Sequence, residues 1–104
     1  MLVSIVILTF RRGESIHTLL TQLTALNDDA LEIIVVDNGS GPETSEIIGA
    51  DFPQVRLVVL KENKGVGSRN RGLEVARGEI VITLDDDMVD LTADSLAHLR
   101  RRFG

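Results

Sequence analysis

The sequence has 104 residues, 43% hydrophobic and 26% charged, which is the length of one domain and the balance of a globular core rather than of a disordered or fibrous chain. A net charge of −5, from 11 basic and 16 acidic residues, argues against general nucleic-acid binding, and the lack of Cys removes disulfides, thiolate metal sites and cysteine nucleophiles together. The longest apolar run, residues 3–8 with Met1 and Leu2 ahead of it, falls far short of the roughly 20 residues that cross a bilayer and has no basic residue before it, so a cytoplasmic protein without a transmembrane segment is expected.

In chain order, the apolar run 3–8 reads as a strand. Ile16, Leu19, Leu20, Leu23 and Leu26 then recur at helical spacing and predict an amphipathic helix over about 14–26, ended by Asn27-Asp28-Asp29. A second strand is expected over 31–36. Ser40-Gly41-Pro42 offers a cap and a Pro at the first helical position, so a short helix is expected over about 43–50, stopping before Pro53. Residues 55–60 read as a third strand. A helix over about 66–77 follows, closing on Gly78, and then a fourth strand over 79–84. Thr92 can cap a last helix in which Leu96, Leu99 and Phe103 share a face and Arg100, Arg101 and Arg102 crowd the final turn. All four strand runs are nearly continuous in apolar residues, the mark of parallel strands buried on both faces. Strands alternating with helices in this way predict an α/β fold, an open, mostly parallel sheet of about four strands with right-handed crossovers and helices on both faces.

Ligands of such sheets bind beyond the carboxyl ends of the strands, which here carry Thr9-Phe10-Arg11, Asp37-Asn38-Gly39-Ser40, residues 61–67 and Asp85-Asp86-Asp87. Three carboxylates crowded at a strand end repel one another unless a cation is present, and Mg²⁺ or Mn²⁺ suits them; a solvated acidic loop has the same composition. Asn63-Lys64-Gly65-Val66-Gly67 opens a helix carrying Arg69 and Arg71, and residues 61–77 hold five basic side chains against Glu62 and Glu74, a place for an anion or simply a basic turn. The loop is neither a Walker A sequence nor a dinucleotide-binding glycine motif. Asp37-Asn38-Gly39-Ser40 is compatible with plain turn chemistry and with an acidic or amide side chain pairing with the edge of a base. His17 and His98 lie inside predicted helices, away from the acidic clusters, and read as surface or packing residues.

Taken together, the segments 3–12, 32–40, 63–79 and 84–87 resemble, in order and from end to end, the N-terminal part of a family 2 glycosyltransferase of the GT-A fold. The first is similar to that family's strand ending in Thr-Tyr-Asn-Arg. Val36-Asp37-Asn38-Gly39-Ser40 is similar to its Val-Asp-Asp/Asn-Gly-Ser segment. Asn63-Lys64-Gly65, Arg69-Asn70-Arg71-Gly72 and Ala76-Arg77-Gly78-Glu79 resemble its Asn-x-Gly, Arg-Asn-x-Gly and Ala-x-Gly-Glu stretch, and Asp85-Asp86-Asp87 its DxD motif. Phe10 stands for the usual Tyr and Arg11 for the usual Asn.

The resemblance implies a single nucleotide-sugar-binding domain over residues 1–104 whose strand order is third, second, first, fourth. It implies that Thr9, Phe10 and Arg11 line the nucleotide pocket and that Asp37 and Asn38 sit at the base, with the choice among uracil, thymine and guanine left open. Lys64, assisted by Arg69, would contact the nucleotide, Asp86 would approach the ribose, and Asp87 with Asp85 would hold Mg²⁺ or Mn²⁺. The donor would be a nucleotide-diphosphate sugar and the acceptor a glycan, lipid or protein. No catalytic residue is assigned, because the family's general base and acceptor half would lie beyond residue 104. The alternative is a non-catalytic nucleotide-binding or structural α/β module. A phosphoacceptor receiver domain needs an acidic pair after its first strand, where this chain has Thr9-Phe10-Arg11. Finally, the apolar fourth strand, uninterrupted by Pro or Lys, would form a sheet edge, and homo-oligomerisation as a two-fold dimer through it is expected.

Overall fold

The computed structural model describes residues 2–11, 13–60, 67–85 and 92–103, with the backbone alone for residues 67–69, 85, 93 and 103. Along them run β1 (Val3–Thr9), α1 (Gly13–Ala25), β2 (Leu31–Asp37), α2 (Pro42–Asp51), β3 (Arg56–Val59), α3 (Gly67–Val75), β4 (Ile80–Asp85) and α4 (Ala93–Phe103). All pairings are parallel and the strand order is β3-β2-β1-β4, as the resemblance implied.

The apolar strands bury alternate side chains on opposite faces. Ile5, Ile7, Ile33 and Val35 pack under Ile16, Leu19, Leu20 and Leu23 of α1 and Ile48 of α2. Val6, Ile34 and Val36 point the other way, toward Val75 and Ala76 at the end of α3. Helices therefore cover both faces. Gly72 makes the close approach of α3 possible, since a Cβ there would overlap Val6 Cγ1 and come within 2.9 Å of Val36 Cγ2.

Burial on both faces holds for β1 and β2 but not for the outer strands. The Arg56 and Val59 positions of β3 are exposed, and β4 alternates between half-buried Ile80, Ile82 and Leu84 and exposed Val81 and Thr83. The reason is their place at the sheet edges, which an apolar run by itself does not reveal. Among the described residues β4 pairs with β1 alone.

Helix ends differ from expectation in two places. Ser40 does not cap α2; the N-cap is Gly41 at φ 108° with no side-chain cap, because the Ser40 hydroxyl is occupied by the Arg11 amide at 2.7 Å. The helix α3 stops at Val75, not Arg77, because the following amides are captured from outside it: Arg77 N donates to Glu32 Oε1 at 2.9 Å and Gly78 N to Ser4 Oγ at 2.7 Å. Gly78 has no positive φ. It is glycine because a Cβ would lie 2.6 Å from both the Ser4 amide nitrogen and its Oγ.

Elsewhere the turn chemistry is as read. Asn27 ends α1 at φ 50°, a left-handed conformation that Asn tolerates. Thr92 caps α4, its Oγ1 accepting from the Ser95 amide at 3.1 Å. Leu96 is buried, and Arg100 anchors α4 to the turn before β2 by donating to both Asp28 carboxylate oxygens and, at 2.6 Å, to the Ala30 carbonyl. His17 bonds Asp51 at 3.0 Å and meets the Phe52 ring edge-on at 5.0 Å, the packing role expected of it. No helix among the described residues is long and apolar enough to cross a membrane.

Candidate functional site

At the carboxyl edge of the sheet, parallel register sets the candidate residues side by side. Thr9 of β1 pairs with Asp37 of β2, and Leu8 with Asp85 of β4. Neighbouring strands lie about 4.8 Å apart, so the ends of β2, β1 and β4 span roughly 10 Å. The acidic run after β4 thus starts one strand away from Thr9, which is itself buried.

The two loops above β1 and β2 are tied together. The Thr9 carbonyl accepts from the Asn38 amide at 2.9 Å, and the Asp37 carbonyl accepts from the Leu60 amide at 2.9 Å, carrying the edge on to β3. Asp37 Oδ1 accepts from the Ser40 amide at 3.0 Å, a turn that Gly39 permits at φ 87°. Across the cleft, Arg11 turns into the left-handed region at φ 53°, its amide held by Ser40 Oγ and its guanidinium 5.0 Å from the centre of the Phe10 ring. Ser40, expected from the sequence to cap a helix, is instead the link between the two loops. The sequence signal was present in Asx-turn chemistry, but its partner is 29 residues away.

Asp37 is fully buried, and among the described residues its Oδ2 has no hydrogen-bond partner. An orphaned buried carboxyl oxygen is costly and can be satisfied by a donor from water or from a ligand. Asn38 beside it is buried too. On one flank lies a cavity of about 530 Å³ lined by Arg11, Ser40, Pro42, Thr44 and Ile47, and on the other one of about 330 Å³ lined by Gly39, Ser45, Val59 and Leu60.

Of the sequence-derived candidates, Thr9, Phe10, Arg11, Asp37 and Asn38 are brought together here. Arg69 lies on α3 and Asp85 at the end of β4, each described by its backbone, while Lys64, Asp86 and Asp87 lie outside the described residues. Among the described residues no three His, Asp or Glu side chains are grouped to hold a metal. The acidic run suits a hard cation by its donor chemistry, and the β1–β4 register carries its first member to the shared edge.

Comparison with known proteins gives the family and the fold. The model of Glycosyl transferase family 2 matches residues 4–102, and the chain belongs to that family. It is 36% identical over 91 residues to the glycosyltransferase YfnE of Bacillus subtilis, covering 83% of this chain and 23% of that protein. The structure of S. aureus TarS 1-349 in complex with UDP-GlcNAc superposes with TM-score 0.76 at 27% identity, over 99% of this chain and 32% of that one. A mannosyltransferase from Pyrobaculum calidifontis, PcManGT, in complex with GDP-Man and Mn²⁺, gives TM-score 0.75 at 27% identity, over 91% of this chain and 30% of that one. The fold is α/β, of the GT-A type that the resemblance implied. The chain spans about a quarter of the length of YfnE and under a third of these structures.

Proposed function

We propose that residues 1–104 form one nucleotide-sugar-binding domain, the donor-binding region of a glycosyltransferase that moves a sugar from a nucleotide-diphosphate sugar to an acceptor. The observation that carries this reading is Asp37, buried at the sheet's carboxyl edge with Oδ2 lacking a partner among the described residues. The ligands in the TarS and PcManGT complexes support the donor class.

In this reading Thr9 and Phe10 line the nucleotide and Arg11 borders it, while Asp37 and Asn38 meet the base. Lys64 and Arg69 contact the nucleotide, and Asp86 approaches the ribose. Asp85 and Asp87 would hold Mg²⁺ or Mn²⁺, which offsets the negative charge gathering on the departing nucleoside diphosphate. The protein's own share is to fix the base so that the diphosphate arrives at the acidic run. We assign no general base within these residues.

Calorimetry with UDP, dTDP and GDP, each with Mn²⁺, tests the reading. At least one is expected to bind in a metal-dependent way, with affinity reduced tenfold or more in Asp87→Ala. Binding of none of them, or an Asp87→Ala variant equal to the parent, would overturn it.

Among the described residues β4 has one side without a strand partner, and beside that edge Val81 exposes an apolar side chain on the sheet face, which suits pairing with a second copy of the chain. Light scattering at tens of micromolar is expected to give a dimer; a clean monomer removes that part of the proposal.

A further inference from the structure

Arg11 is exposed, and none of the ion pairs among the described residues involves its guanidinium. A left-handed backbone is costly for most residues other than Gly, Asn or Asp, and here it is secured by the bond from the Arg11 amide to Ser40 Oγ. The effect of the bend is to fold the side chain back along its own neighbour. The guanidinium comes to rest over one face of the half-buried Phe10 ring, 5.0 Å from its centre. A planar, weakly hydrated guanidinium stacks in that position better than the compact, strongly hydrated ammonium of a lysine.

Resting on the nucleotide reading above, we infer that Arg11 is a positioning residue: its guanidinium backs the Phe10 ring so that the donor's nucleobase stacks on the ring's other face. The contact immobilises the ring before the ligand arrives, which lowers the ordering cost of binding. It also draws π density toward the cation, leaving the far face better matched to a base whose carbonyls make it electron-rich at the rim. Base stacking of this kind tolerates different bases, so the device acts upstream of base choice. Arg11 then acts through Phe10 without touching the phosphates.

Binding of UDP and of uridine, and in parallel of GDP and guanosine, separates this role from direct phosphate contact. Arg11→Asn keeps a residue type that accepts the left-handed bend and removes the cation; Arg11→Lys keeps the charge and loses the plane. Both, and Arg11→Ala, are expected to weaken the nucleoside and its diphosphate alike, by about three- to fivefold, with the unfolding midpoint of Arg11→Asn unchanged. Loss confined to the diphosphates, rescue by Lys, or no loss in any variant would overturn the inference while leaving nucleotide binding intact. A parent chain that binds neither nucleosides nor diphosphates would instead remove the nucleotide reading beneath it.

Discussion

Glu32 holds Arg77 twice, Oε1 accepting from its backbone amide at 2.9 Å and Oε2 from its Nε at 2.9 Å. Oε1 also accepts the Ser4 hydroxyl at 2.8 Å, and Ser4 Oγ accepts in turn from Gly78 N at 2.7 Å. One carboxylate, its side chain only 9% exposed, thereby joins β1, β2 and the start of β4.

Removing that carboxylate orphans several donors at once. Glu32→Ala is expected to lower stability by about 2–4 kcal/mol, and Glu32→Gln, which keeps one acceptor oxygen, by about 1 kcal/mol. Arg77→Ala should cost well under 1 kcal/mol, because its guanidinium is largely in water and its amide bond survives. Urea unfolding measures all three, and equal costs for Glu32→Ala and Arg77→Ala would contradict the ranking.

Stability should fall in acid through two carboxyls. Hydrogen bonding from Arg100 holds Asp28 below its ordinary value of 3.8 against the opposing effect of burial. At Glu32 burial pushes upward from 4.5 but is outweighed by the bonds from the Arg77 amide, the Ser4 hydroxyl and the Arg77 side chain, leaving it lowered. A depressed folded-state value means that the stabilisation is complete above the unfolded-state value and disappears as pH drops through the folded one. The unfolding free energy is therefore expected to be level from neutral pH to about 5 and to decline below about 4.5, less steeply in Glu32→Gln and Asp28→Asn. A profile with the same acid slope in parent and variants would count against both assignments.

Three glycines should respond in opposite directions to alanine. At Gly78 the new Cβ meets Ser4 backbone, and at Gly72 it meets two β-branched side chains, so each substitution is expected to cost at least about 2 kcal/mol. Gly49 lies exposed on α2 with nothing within 4 Å of a Cβ, and Gly49→Ala should stabilise by about 0.5–1 kcal/mol. Thermal melts of the three variants decide the ordering.

Asp37 should show the opposite signs of stability and binding. Asp37→Asn can keep the bond from Ser40 N while replacing a buried carboxyl oxygen without a partner by a neutral amide. Stability is expected to stay level or rise by about 1 kcal/mol, while nucleotide affinity falls at least tenfold. A variant that is markedly less stable would show that Oδ2 serves the fold.

The strand runs and the α1 stripe were legible because burial of apolar side chains is written locally, at periods of two and 3.6. Exposure of β3 and β4 was not written in the runs themselves, since the order of pairing decides which strand becomes an edge, and that order came from the family resemblance. Gly78 misled because a glycine after a helix usually takes a left-handed turn, whereas here Ser4, 74 residues earlier, dictates it. Ser40 misled in the same way, its hydroxyl claimed by Arg11 instead of by its own helix. Thr9, Asp37 and Asn38 could be placed from their position at strand ends, but the orphaned Oδ2 and the folded-back Arg11 follow from contacts between loops.

The strand order has a consequence for assembly in time. β1, made before the other three strands of this sheet, lies inside it, and Val3 pairs on one side with Leu31 and on the other with Ile80. On a ribosome adding roughly 5–20 residues per second, the second partner arrives about 4–15 seconds after Val3 itself. During that interval a mostly apolar strand has one bare flank, and closing it requires the longest loop in the sheet. Nascent chains in which only residues before 79 have left the ribosome should therefore bind chaperones or aggregate more than those in which residues 1–103 have emerged.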